Sequence, residues 1–226
     1  SIVKYPFSST LAHPKGKAKA AKFGFFQSEK EDYLKIAREL GIRQLPSAEG
    51  TLRFARHPLV YLVEAADDIC YEIMDIEDAH KLKILTTEET QRALLAFFPA
   101  EEQAKMRERM AELEDVNEQI VYLRSMVIGR LEQECVRVFV ENEARILEGE
   151  FEGCLIDHIA TVPRQAYKAC ESLAFAKIYH ARAVVDIEIA GYKVITQLLD
   201  LMIDAVTHSD KMYSKILINR VSSQYD

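Results

Sequence analysis

The chain is predicted to be all-α, and three observations carry that expectation. Residues 56–78, RHPLVYLVEAADDICYEIMDIED, repeat their apolar positions at helical spacing with no internal break after Pro58. Residues 100–147 contain no Pro and a single Gly, with helical periodicity throughout. No stretch of the 226 residues alternates apolar and polar side chains as a half-buried strand does.

Taken in order, residues 1–27 carry Pro, Gly, Ser and basic punctuation, including HPKGKAKAAKFGFF, and read as an extended or irregular segment with a cationic cluster of Lys15, Lys17, Lys19 and Lys22. Ser28 followed by Glu31 predicts a capping box, and Gly41 a C-cap for the helix it opens. Pro46, Ser47 and Gly50 then interrupt the chain. Pro58 suits the first turn of the next helix, where its missing N–H costs nothing. At about 100° per residue, Leu62, Ala66, Ile69, Ile73 and Ile76 share one narrow arc, the expected core face. Thr86 with Glu89 predicts a second capping box and a short helix ending by Pro99. One or two long helices are expected over 100–147, with Met106, Met110, Leu113, Ile120, Leu123, Val127 and Leu131 near one face and the methionines filling core gaps. GEFEGC at 149–154 marks a break. Pro163 is expected to open a helix through Ile178, a long helix follows from about His180 to Val206, and a last one begins near Asp210.

Composition narrows the class of protein. With 49% apolar and 29% charged residues the chain can bury a real core as one domain or two closely packed ones. A net charge of −7 and a pI near 5.5 argue against a protein that coats nucleic acid. The four cysteines are widely spaced in apolar helical contexts, without a CxxC pair, and are expected to be buried reduced thiols. No apolar run approaches a membrane span and the start SIVKYPFSS has no signal-peptide core, so the expectation is a cytoplasmic protein with no membrane partner.

Opposite the expected core arc, the 56–78 helix carries Glu64, Asp67, Tyr71, Asp75 and Asp78. Asp67, Tyr71 and Asp75 are spaced i, i+4, i+8, so their side chains stand over one another in one stripe. Spacing leaves two readings open. The stripe is a solvated acidic face, or it is a site for a hard cation and a polyphosphate, since carboxylates supply oxygen to divalent metals and a phenol hydrogen-bonds sugar or phosphate oxygens.

The run EAADDICYEIMDIEDA, with RHPLVYL before it, resembles the last metal-ligand segment of the HD-domain deoxynucleoside triphosphate triphosphohydrolases, the bacterial dGTPase family in particular. The resemblance implies that Asp67 is a ligand of a divalent metal, Mg²⁺ or Mn²⁺, that Tyr71 touches triphosphate or sugar, and that Asp75 partners the deoxyribose 3′-hydroxyl. KYP near the start and KFGFFQSEKE are also similar to the family, which makes Lys4 and Lys22 phosphate-facing lysines. YHARAVVDIEIAGYKVI resembles the family helix that sets an arginine on the terminal phosphate, and Arg182 has that position; the other reading of Arg182 is a surface ion pair with Glu188 or Asp186. INRVSSQYD is similar to a stretch ahead of the family's C-terminal segment. On this resemblance residues 1–82 form the latter part of the HD catalytic domain, and 83–226 a helical C-terminal region that helps complete the pocket and an oligomer interface.

The resemblance implies a dNTP substrate, dGTP in the first instance, cleaved to deoxynucleoside and tripolyphosphate by water directed at the α-phosphorus. It also implies a homo-oligomer. The cluster from Lys15 to Lys22 leaves room for a nucleotide effector or single-stranded DNA. The sequence contains no His-Asp dipeptide, and none of its six histidines stands in a context matching the family's early His or its His-Asp pair. One carboxylate does not hold Mg²⁺ or Mn²⁺ firmly, because affinity comes from ligand number and geometry, so this stretch alone is expected to be inactive. Two other readings are a non-catalytic helical interaction module and an HD phosphodiesterase of another substrate class; Asp67, Tyr71 and Asp75 with Lys22 favour a triphosphate over a cyclic nucleotide.

Overall fold

The computed structural model describes residues 3–11, 22–47 and 51–221. Lys15, Lys17 and Lys19 of the cationic cluster, with Gly50 and the end of INRVSSQYD, lie outside the described residues. The chain is nearly all-α, as the periodicities require. Its helices are α1 (Lys30–Glu39), α2 (Pro58–Lys81), α3 (Thr87–Leu95), α4 (Ala100–Ala111), α5 (Val116–Glu141), α6 (Glu143–Leu147), α7 (Thr161–Leu173), α8 (Arg182–Thr207) and α9 (Met212–Ile218). Strand is confined among the described residues to a two-residue antiparallel pair, β1 (Gln44–Leu45) and β2 (Arg53–Phe54). No helix among them is long and apolar enough to cross a membrane.

Two compact units are present, one through Leu173 and one from Ala174 onward. In the first, α2 and α5 form the central packed pair, with α3, α7 and the turn at Leu155–His158 against them. Ile69, Ile73 and Ile76 of α2 are sealed, as are Ile120, Leu123, Val127, Leu131 and Val138 of α5. A satellite core of Phe25, Tyr33, Ala37 and Phe54 joins α1 to β2; Phe25 and Tyr33 stack with centroids 4.2 Å apart. The second unit is the helical pair α8 and α9.

Several expectations are corrected. The core arc of α2 is closed only in its second half: Leu62 and Ala66 are exposed, because they line an open groove with Cys70 and with Cys135 and Val136 of α5. Glu64, expected on the solvated side, is buried; cations reach it there, as described below. The Ser28–Glu31 capping box gives way to a single side-chain contact two residues earlier, with no polar side chain at the cap position to return it. A 3-10 turn at Gln27–Glu29 precedes α1, and the Phe26 N–H donates to Glu29 Oε2 at 2.8 Å. Residues 100–147 form three helices, because Asp115 turns its carboxylate back onto the Asn117 N–H at 2.5 Å and starts a new helix without any Gly or Pro. Leu113, placed on the buried face, falls in that break and is half-buried. The helix around Pro163 begins at Thr161 and gives way after Leu173 to a single π-helical turn, Ala174–Ile178. Cys70 is exposed rather than buried, whereas Cys135 and Cys170 are buried.

Other local readings hold. Thr86 and Glu89 make the reciprocal capping box, with Thr86 Oγ1 accepting from the Glu89 N–H at 3.2 Å and Glu89 Oε2 from the Thr86 N–H at 3.0 Å. Gly41 takes φ +65° at the end of α1, and GEFEGC turns on Gly149 and Gly153 at φ +69° and +82°.

Candidate functional site

Helix α2 builds the site, and its entry is locally determined. His57 accepts from the Leu59 N–H at 3.2 Å, and Pro58 fills the first turn. Just before it, Arg56 lies over the Tyr61 ring, 4.4 Å from the centroid, and its guanidinium donates to the Gly153 carbonyl at 3.2 Å. Tyr61 in turn donates to the Phe151 carbonyl at 2.9 Å. The 149–154 turn is thereby pinned to the start of α2.

Glu64 is the electrostatic centre of this corner. One carboxylate oxygen receives Arg56, and the other lies 3.3 Å from Lys4 Nζ. Burial alone would push the Glu64 carboxyl up, but the hydrogen bond and charge of Arg56, with the charge of Lys4, hold it below the ordinary carboxylate range. Burial opposes the charge on Lys4 as well, yet Glu64 raises its ammonium above the usual lysine value. The Cys154 thiol hydrogen-bonds the same carboxylate, and burial first, then Glu64, pushes its pKa to about 12. Asp68, half-buried beside them, is raised chiefly by burial.

Lys4, Val60, Val63, Glu64 and Asp67 line one pocket of about 300 Å³. Lys4, Arg53, Arg56, Glu64 and Asp68 contribute to an adjoining groove of about 590 Å³ against Gly149–Cys154. Two of the residues singled out from sequence, Lys4 and Asp67, therefore face the same space, from segments more than sixty positions apart. Lys22 Nζ lies 5.5 Å from the centroid of Tyr5, the residue next to Lys4. Tyr71 and Asp75 continue along α2, Tyr71 exposed and Asp75 half-buried. Arg182 belongs to the second unit, as the first residue of α8; it is almost fully exposed, with Asp186 Oδ2 3.6 Å from its Nε. That is the surface contact expected for it as an alternative to a phosphate grip.

Asp67 offers the hard anionic oxygen that Mg²⁺ or Mn²⁺ prefers. Among the described residues, however, no three His, Cys, Asp or Glu side chains come together to hold a metal ion. The described residues on their own do not fit a complete metal centre.

Sequence reasoning missed Arg56, Glu64 and Cys154. One signal was available: Glu64 stands alone in the apolar run LVYLVEAA, and an acid in such a run is buried only if a cation meets it. Arg56, eight residues earlier, was within reach as one of those cations; Lys4, sixty residues away, was not.

No protein-family model matches the chain. Curated proteins do. The chain is 32% identical over 200 residues to a deoxyguanosinetriphosphate triphosphohydrolase-like protein of Pseudomonas aeruginosa, covering 88% of this chain and 44% of that protein. It is 31% identical over 232 residues to one of Synechocystis, covering 96% and 48%. It is 28% identical over 192 residues to a deoxyguanosinetriphosphate triphosphohydrolase of Serratia proteamaculans, covering 80% and 36%. The chain spans less than half the length of these relatives. By sequence it is a homologue of the dGTP triphosphohydrolase family, in agreement with the resemblance carried by EAADDICYEIMDIEDA.

Proposed function

We propose that the chain is the latter part of a metal-dependent deoxynucleoside triphosphate triphosphohydrolase, with dGTP as the first substrate to test and deoxynucleoside plus tripolyphosphate as products. The observation that carries this reading is that Lys4 and Asp67 line a single pocket on α2, in a chain whose relatives are named for that activity. In the proposal Asp67 is one ligand of Mg²⁺ or Mn²⁺, and the remaining ligands come from residues beyond this stretch, including the family's early His and His-Asp pair. The ion would supply Lewis acidity at a phosphate oxygen and a directed water.

The chain's own residues do the rest. Lys4 and Lys22 neutralise charge on the triphosphate as compact point charges, and Tyr71 donates to a phosphate or sugar oxygen. Asp75 accepts the 3′-hydroxyl; a polar acceptor left without its partner is costly, so substrates lacking that hydroxyl are disfavoured. Arg182 presents a planar fork to the terminal phosphate. As charge grows on the departing tripolyphosphate, these cations stabilise it more than they stabilise the bound substrate.

The test is tripolyphosphate release from dGTP with Mn²⁺, measured on the full-length gene product and on its Asp67→Ala variant. Release by the first and a loss of at least about a hundredfold in the second is expected, because removing a metal ligand disables the ion's role. No release by a folded, metal-loaded full-length protein with any dNTP, alone or with a second dNTP as activator, would refute the reading. The outcome would then favour the helical interaction module, for which one specific observation speaks. Helix α8 exposes Ile187, Ile189, Tyr192, Ile195, Leu199 and Ile203, and a broad uncovered apolar face on a helix calls for a covering partner.

A further inference from the structure

Lysine is a poor phosphate ligand unless something holds it. Its four-carbon stem has many rotamers, and a free ammonium samples many positions. Lys4 is not free: its ammonium lies 3.3 Å from Glu64 Oε1, while the second oxygen of the same carboxylate receives Arg56. Arg56 is in turn fixed by the Tyr61 ring and by the Gly153 carbonyl. Glu64 itself has no freedom to wander, being on α2 with a side chain 6% exposed. An immobile scaffold thus ends in an ammonium that retains hydrogen-bond donors for other partners.

The sharing of Glu64 bears on how an anion would meet Lys4. One carboxylate is shared by two cations, so Glu64 does not by itself neutralise Lys4, whose ammonium faces the pocket together with the carboxylates of Asp67 and Asp68. Burial of Glu64 also matters, because ion pairs held away from water are less screened and more rigid than surface pairs.

We propose that Glu64 is a positioning residue: its buried carboxylate, gripped by Arg56, holds the Lys4 ammonium over the Asp67 pocket as a preset binding point for the polyphosphate of a nucleoside triphosphate. The proposal rests on the triphosphohydrolase reading for the identity of the anion. It does not rest on that reading for the hold of Glu64 on Lys4. Glu64 touches no reacting atom; it acts through Lys4.

Two measurements on the full-length gene product test it. In the first, the titration of the Lys4 ammonium is followed by NMR in the unsubstituted protein and in Glu64→Gln. Loss of the buried anion is expected to lower the Lys4 pKa; an unchanged titration would overturn the proposal whether or not the protein hydrolyses dNTPs. In the second, KM and kcat for dGTP are compared for Lys4→Ala, Glu64→Gln and the double variant. Each single change is expected to lower kcat/KM roughly tenfold, with part of the loss in kcat because Lys4 acts on the departing tripolyphosphate, and the double variant to be no worse than the worse single one, as for two residues acting as one unit. Multiplying effects would show that Glu64 acts independently of Lys4 and would overturn the proposal while leaving the activity assignment intact. Absence of tripolyphosphate release from the unsubstituted protein would instead strike the activity assignment, and the NMR titration would still decide the role of Glu64. Should Glu64→Gln fail to fold with Arg56 left unpaired, the paired change Arg56→Gln with Glu64→Gln, which leaves no unmatched charge, serves for both measurements.

Discussion

Glu72 sits on α2 two turns beyond Glu64 and has the opposite fate. Its side chain is buried, and Oε1 has no hydrogen-bond partner. Burial first, then the charges of Glu171 on α7 and Asp75 on its own helix, raise its pKa from 4.5 to about 7. The neighbouring titratable groups, Tyr167 and Cys170 of α7, are themselves pushed up chiefly by burial and supply no positive charge. In the folded protein Glu72 therefore binds a proton more tightly than in the unfolded chain. A carboxyl of that kind stabilises the fold at low pH and loses its contribution as pH rises from about 4.5 to about 7. The gap of about 2.5 pH units, at about 1.4 kcal/mol each, comes to about 3.5 kcal/mol of destabilisation once pH exceeds 7.

The perturbation is Glu72→Gln, which keeps the shape and removes the titration. Urea unfolding at pH 5 and pH 8 reads the effect. Glu64, Glu77 and Glu134 are held below the ordinary carboxylate range by their cations and contribute with the opposite sign, so the variant-minus-parent difference is the quantity to compare. That difference should rise by about 2.5 kcal/mol in favour of Glu72→Gln between the two pH values, since at pH 5 part of the full span is already lost. An equal difference at both would mean that Glu72 is solvated or paired in the folded state, and the reasoning from burial would be wrong.

Two further outcomes follow from the geometry. Gly149 combines φ +69° with a position where a Cβ would meet the Ala55 Cβ at 2.5 Å, so Gly149→Ala is expected to cost about 2 kcal/mol in chemical denaturation. Gly41→Ala, at φ +65° but with open space around it, should cost less. Tyr71 is 69% exposed; Tyr71→Ala should leave stability within about 0.5 kcal/mol while raising KM for dGTP in the full-length product, and a large loss of stability would place Tyr71 in the core rather than in a binding surface.

Much of the local structure was legible. Thr86 with Glu89, Gly41 and Pro58 each act over a few residues through backbone donors and fixed φ values, so their effect travels with the letters. The break at Asp115 was not, since a side-chain cap competes with continuation of the helix and the residues around it are good helix formers. The stripe Asp67, Tyr71, Asp75 was visible as a periodicity, and the family resemblance was carried by the same run.

The sequence by itself determined the helical class, the course of α2 and the register that lines up Asp67, Tyr71 and Asp75, because these depend on a period of 3.6 residues and on contacts within one or two turns. Only the tertiary structure decided that Glu64 leaves the solvated face, that Lys4 and Arg56 meet on its two oxygens, and that Glu72 is enclosed beside Glu171. The meeting with Lys4 and the enclosure by α7 hang on which segment packs against which face of α2, and a helical wheel holds no information about a partner sixty or a hundred positions away; Arg56 is only eight residues from Glu64, but it reaches that carboxylate from the non-helical lead-in to α2.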